Sequence, residues 1–161
     1  MELMYELKIL LHVVIASILG GVIGYEREKT NKPAGIKTNM IVGGSVALLV
    51  SLGEAITVHF QNLGLSEVMQ TDPTRIIQAI IVGVSFIGAG TVMQVQKIYK
   101  VKYLTTAASI LYSTGVGISV ALGQYILAVG LTIFILIIYY PIKWIEEKLI
   151  NPEGAEEEDD E

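Results

Sequence analysis

Five nearly charge-free apolar runs, at residues 9–25, 40–58, 76–93, 104–122 and 125–142, occupy most of this 161-residue chain. Each holds about 17 to 19 residues, which at about 1.5 Å per residue crosses a hydrocarbon core of about 30 Å. A helix on the surface of a soluble bundle breaks such a run with charge at nearly every turn, and these runs are not broken that way. The expected fold class is therefore all-α, an integral membrane bundle of five transmembrane helices. Nine of the eleven basic side chains fall in three stretches. Arg27, Lys29, Lys32 and Lys37 follow the first run, Lys97, Lys100 and Lys102 the third, and Lys143 and Lys148 the fifth. Only Lys8 and Arg75 lie on the other side. Short loops rich in Lys and Arg stay in the cytoplasm, so the expected orientation puts the N-terminus outside and the C-terminus inside.

At 52% hydrophobic content the chain reads as one membrane unit over 1–150, followed by an acidic, solvated and disordered tail at 151–161. Much of the net charge of −5 comes from Glu156 to Glu161, which offers nothing apolar to bury. Nucleic-acid binding is not expected, because topology consumes the basic residues. The chain has no cysteine, which excludes disulfides, thiolate nucleophiles and cysteine-based metal sites. Glu2 and Glu6 stand where a cleaved signal peptide would carry positive charge, so the first run reads as a retained anchor.

Within the first run, Ser17, Gly20, Gly21 and Gly24 share one helix face, a small-residue stripe that lets a second backbone approach closely. The same face carries Arg27 and Glu28 toward the bundle. Turn residues from Thr30 to Gly35 place the start of the second helix near Lys37 or Thr38. There Gly43, Ala47, Ser51 and Glu54 point inward, and Ile41, Leu48, Leu52 and Ile56 outward. Asp72 is read as the N-cap of the third helix and Pro73 as its first residue. An inward Arg75 would pair with Glu54 or Asp72, with Gln78 beside it. Gln78, Ser85 and Ala89 form one stripe of the third helix, Ala79, Gly83 and Gly90 another. In the fourth, Thr105, Ala108, Ser109, Tyr112 and Ser119 oppose Leu104, Leu111, Ile118 and Leu122. The fifth is bulky and apolar apart from Gly130 and Thr132, so it is expected at the periphery, with Tyr139, Tyr140 and Trp144 in an interfacial aromatic belt.

Several ordered blocks then carry a family resemblance. Gly20-Gly21-x-x-Gly24-x-Glu26-Arg27-Glu28, Lys32 to Thr38, Asp72-Pro73-x-Arg75-Ile76 with Gln78, Phe86 to Gly90, and Val101-Lys102-x-Leu104-Thr105-Thr106-Ala107-Ala108 resemble the MgtC/SapB membrane proteins over about residues 7 to 140. Lys37 and Asn39 stand where that pattern usually has Arg and His. The first exchange keeps charge but loses the bidentate fork, and the second removes a titratable group. Many relatives also carry a C-terminal cytosolic module, whereas only the acidic tail is expected here after Trp144. The resemblance implies an inner-membrane protein linked to growth at low magnesium, survival inside host cells and, for some members, inhibition of F-type ATP synthase.

Two functions compete. The first is a regulator acting by lateral contact with a membrane partner such as F-type ATP synthase, with self-association as a further option. The second is an ion transporter or divalent-cation sensor, in which Mg2+ would interact with the charged clusters. The candidate site is a cytoplasmic charge cluster of Glu26, Arg27, Glu28, Lys37, Thr38, Thr105 and Thr106, held by close packing at Gly20, Gly24, Gly83, Gly88 and Gly90. An outer cluster comprises Glu54, Asp72, Arg75 and Gln78. No cofactor is implied. His12 and His59 lack metal-ligand spacing, and no base is poised beside a hydroxyl, so no enzyme is expected.

Overall fold

The computed structural model describes residues 2–64, 72–93 and 103–149, with side chains in the last segment described up to Tyr139. The loop lysines 97, 100 and 102, the aromatic pair Tyr140 and Trp144, and the acidic tail lie outside the described side chains. Five helices run in order: α1 Glu2–Lys29, α2 Ile36–Asn62, α3 Pro73–Met93, α4 Leu104–Ala121 and α5 Tyr125–Leu149. The first four are long and apolar enough to cross a membrane. The apolar stretch of α5 runs Tyr125–Tyr139 among the described residues.

Local chemistry sets the helix ends. At the end of α1, Asn31 takes a left-handed φ of 51°, and its amide bonds the Glu28 carbonyl at 3.1 Å. The Lys32 amide reaches back to the Arg27 carbonyl at 2.9 Å. That pair of bonds is a Schellman closure with Asn in the position usually given to glycine. Gly123 does the same for α4 at φ 72°, with the Gln124 amide on the Ser119 carbonyl at 2.8 Å. Such closures matter more in a membrane, where a carbonyl without a partner is costly.

The core is α1, α2 and α4. Its buried apolar residues include Ala16 and Ile23 of α1, Val46, Ala47 and Val50 of α2, and Ile110, Val116 and Val120 of α4. Glycine lets these backbones approach. A methyl on Gly43 would lie 2.7 Å from the Ala16 carbonyl oxygen, and one on Gly117 would lie 2.6 Å from the Gly43 carbonyl oxygen. One glycine column thus joins all three helices. The small-residue stripe of α1 packs as expected: a methyl on Gly24 would sit 2.7 Å from Ile36 Cα, and one on Gly20 would overlap the Asn39 carbonyl.

Most hydroxyls in the core return their protons to their own helix. Thr114 donates to the Ile110 carbonyl at 3.0 Å, Ser119 to Gly115 at 2.9 Å and Thr132 to Ala128 at 2.9 Å. This satisfies the hydroxyl without a second helix. α5 covers one side of α1 and α4 and leaves Ile126, Ile133, Phe134 and Ile137 exposed, which is the peripheral position expected for it.

α3 departs from expectation. It is the least buried of the four long spans, contacting α4 and, more lightly, α2. Only Ile80, Val84 and Gly88 of its described side are buried. Both stripes of small and polar residues, Gln78–Ser85–Ala89 and Ala79–Gly83–Gly90, are exposed. The packing role expected of Gly83 and Gly90 is therefore corrected: neither has a described atom within 4 Å of where a methyl would stand. Gly88 does pack, 3.3 Å from Ala107 Cβ by the same construction.

Candidate functional site

Two polar sites lie at opposite ends of the helix core, and the better defined one is at the α1–α2 turn. Arg27, about two helical turns beyond Gly20, is 1% exposed, so a guanidinium is packed inside the bundle. Its Nη2 donates to Thr106 Oγ1 of α4, and its guanidinium carbon lies 5.8 Å from the ring centroid of Tyr139 on α5. A cation over a desolvated aromatic face is attracted by about 2 kcal/mol. Arg27 thus ties α1 to both α4 and α5. Its Nε and the Oε2 of Glu26, itself 6% exposed, have no hydrogen-bond partner among the described residues. Tyr139, expected in the aromatic belt, belongs instead to this site.

Beside Arg27 a second node involves a residue whose role the sequence did not signal. Asn39 is fully buried. Its amide nitrogen donates to the Ala34 and Gly35 carbonyls at the start of α2, and its Oδ1 accepts from Ser113 Oγ of α4 at 2.7 Å. An uncharged amide serves both ends of this chain of bonds at once, donor on one side and acceptor on the other. Glu28 is exposed but not idle, because its Oε2 accepts from the Ile36 amide at 2.9 Å. That satisfies one of the donors left open at the start of α2, which begins at Ile36 rather than at Lys37 or Thr38.

The expected cluster therefore contracts. Arg27 and Thr106 come together, with Glu26 buried at the adjacent position and Glu28 at the rim. Lys37, Thr38 and Thr105 are exposed and point away. Thr105 is displaced because α4 presents Thr106, Ser109, Ser113, Gly117 and Val120 to the core, a face turned from the expected one by about one residue, or about 100°. Leu104, Leu111 and Leu122 still point out. A guanidinium in the pocket does not suit a divalent cation, which wants several oxygen ligands. Among the described residues no three His, Asp or Glu side chains gather as a metal set.

The other end is looser. Asp72 caps α3 as expected: its Oδ1 accepts from the Thr74 amide at 2.9 Å and from the Thr74 hydroxyl at 2.6 Å. These bonds, with Arg75 adding to them, hold the Asp72 carboxyl below its ordinary pKa. Arg75 Nε approaches Asp72 Oδ2 at 3.9 Å, an exposed pair. Glu54, expected to face inward, is exposed and lines a recess of about 290 Å³ with Thr57, Gln61, Pro73 and Ile77. Arg75 lies on the opposite flank of α3, in a groove between α2 and α3. The two are not brought together, and Gln78, one turn on from Arg75, is exposed.

A node absent from the sequence reading lies nearby. His12 of α1 is 2% exposed and is hydrogen-bonded through Nε2 to the Tyr125 hydroxyl at 2.9 Å and through Nδ1 to Ser51 Oγ at 3.3 Å. It joins α1, α2 and α5 where Arg27 joins α1, α4 and α5.

A multi-pass helical membrane protein with a buried arginine tie at one end of a glycine-packed core is the class these features define. The profile of the MgtC family matches residues 13–148, and the chain belongs to that family. It is 36% identical over 151 residues to the protein SapB of Bacillus subtilis, covering 94% of this chain and 63% of that one. The protein MgtC of Salmonella typhimurium is 32% identical over 135 residues, covering 84% of this chain and 52% of that one. A putative magnesium transporter, YhiD, of Escherichia coli is 29% identical over 147 residues, covering 89% and 65%. The chain thus spans between half and two thirds of the length of these relatives. No solved structure matches it.

Proposed function

We propose that this protein is a membrane regulator that acts by lateral contact with another membrane protein during adaptation to low magnesium. The observation that carries the reading is how the core closes. Between the Arg27 end and the Glu54 end, α1, α2 and α4 meet backbone to backbone at Gly20, Gly24, Gly43 and Gly117. Such contacts fill the place a permeation path would need, whereas α3 turns Gln78, Ser85 and Ala89 outward. Small and polar residues facing out from a span suit contact with another helix. An F-type ATP synthase is the partner class the family resemblance suggests, and the basic loops favour a cytoplasmic Arg27 end.

The charged residues then act as ties rather than ligands, with Arg27 setting how α1, α4 and α5 sit. Crosslinking in native membranes followed by detergent extraction and pull-down should return one recurring membrane partner, reduced by bulky substitution at Ser85. A preparation that crosslinks only to itself contradicts the reading. Magnesium flux into proteoliposomes that is present in wild type and abolished in Glu28→Gln would replace it with the transporter reading.

A further inference from the structure

Two polar side-chain atoms at the Arg27 end have no hydrogen-bond partner among the described residues, Oε2 of Glu26 and Nε of Arg27. They belong to consecutive residues of α1, and both side chains are more than nine-tenths buried. A buried charged group left unpaired is expensive, so the pair calls for a partner. The hydroxyls around it are already committed. Thr30 donates to the Glu26 and Arg27 carbonyls at 3.0 and 3.2 Å, and Ser109 donates to the Thr106 carbonyl at 2.8 Å. Thr106 accepts from the far end of Arg27.

The two do not satisfy each other. Neighbouring residues of a helix point about 100° apart, and among the described residues the ion pair formed is Arg75 with Asp72. A molecule between Glu26 and Arg27 must therefore accept from the Nε–H and donate to the carboxylate. Carboxylate and guanidinium together carry no net charge, which favours a neutral molecule over an ion of either sign. The burial of both side chains favours a small one. Water meets all three requirements, and internal water sits where about two to four polar groups converge. Tyr139 supplies a third group: its phenol lies within electrostatic reach of Glu26 and Arg27 and beside Ser109.

We infer that the Arg27 end of the α1–α5 contact holds an internal water beside Tyr139, which accepts from Arg27 Nε–H and donates to Glu26 Oε2. Exposed Lys29 and Lys32 follow within two turns of chain, so bulk solvent is near enough to fill the site. A bridging water bonds nearly as well as a direct contact. The Arg27 tie is thus a wet one, whereas Asn39 and Ser113 close their part of the core by a direct bond at 2.7 Å.

A high-resolution density map of the full chain should show a water within hydrogen-bonding distance of both Glu26 Oε2 and Arg27 Nε. Direct contact between the two side chains overturns the inference, and so does density that fits an ion or a larger molecule. Hydroxyl-radical labelling by X-ray pulses, read by mass spectrometry, tests it in the detergent-purified protein, because water held beside a side chain promotes its oxidation. Tyr139 should be oxidised several-fold faster than Tyr112, another half-buried tyrosine, whose hydroxyl donates directly to the Leu131 carbonyl at 3.0 Å. Glu26→Gln keeps an acceptor and should keep that ratio. Glu26→Leu removes it and should bring Tyr139 down to the Tyr112 rate. A Tyr139 rate unchanged in Glu26→Leu assigns the labelling to bulk solvent and overturns the inference, as does a wild type in which the two tyrosines react alike. Should Glu26→Leu fail to fold, the density map of wild type decides alone.

Discussion

The α1–α2–α4 core and the α3 face are built from the same residue types and use them in opposite ways. Gly20, Gly24, Gly43 and Gly117 each lie against the backbone of another helix, whereas Gly83 and Gly90 face open space among the described residues. A stripe of small residues allows close approach, and whether anything approaches depends on what the neighbouring helix offers. α2 and α4 offer glycine and serine to α1 and to each other. Toward α3, α2 offers a glycine at Gly53, which meets Ile76, and beyond it Ile41, Val42 and Leu49, which line an open groove.

The largest test of that contrast is a pair of leucine substitutions. Gly24→Leu drives a side chain into Gly35 and Ile36 and should cost about 3 kcal/mol or more, seen as loss of the monodisperse protein in detergent. Gly83→Leu should stay within about 1 kcal/mol of wild type in thermal unfolding. Equal losses would mean that α3 is packed as tightly as the core.

Arginine position gives the next effect. Arg27→Ala removes a charged hydrogen bond to Thr106 and the contact with Tyr139, a loss of about 2–4 kcal/mol, and should abolish growth at low magnesium. Lys29→Ala, two residues away and exposed, should be nearly silent in both assays. Asn39→Ala should cost about 1–3 kcal/mol, because it leaves Ser113 and the Ala34 carbonyl without their partner. Asn39→Asp should do worse than Asn39→Gln, since a carboxylate cannot donate to those carbonyls.

Much of this was legible in the chain. The five apolar runs map onto five helices, the Gly20–Gly24 face packs as its spacing requires, and Asp72 caps α3. The outward Ile41, Leu48, Leu52 and Ile56 of α2 are all exposed. The failures share a cause. In α4, Thr105 and Thr106 are adjacent and both followed by small residues at helical spacing, so the pattern fits two faces about 100° apart. The side chain waiting across the gap, Arg27, selects the second. The outward face of α3 is not legible in the same way, because nothing in a single span states which neighbours reach its small and polar residues. His12, Ser51 and Tyr125 come from three helices, with the partners 39 and 113 positions apart in the chain. Only the assembled fold brings them together.

A smaller effect than these core losses lies at the exposed end. Asp72→Ala removes the α3 cap and should lower thermal stability less than any core substitution above. Because folding lowers the Asp72 pKa, its contribution is fully present above the carboxyl's unfolded pKa. It is lost as pH falls through the lower, folded value. Wild type and Asp72→Ala should therefore differ at neutral pH and converge in strong acid. A difference that grows on acidification would contradict the capping assignment.

The closed core is the claim on which the regulatory reading depends, and the absence of native cysteine makes it directly measurable. Ser113→Cys places a thiol beside Asn39 in the middle of α1, α2 and α4, and Lys29→Cys places one at the exposed end of α1. In intact membranes, a small water-soluble methanethiosulfonate should modify Lys29→Cys readily and leave Ser113→Cys unmodified from either side. Modification of Ser113→Cys at a comparable rate would show water reaching the centre of the bundle and would contradict the account.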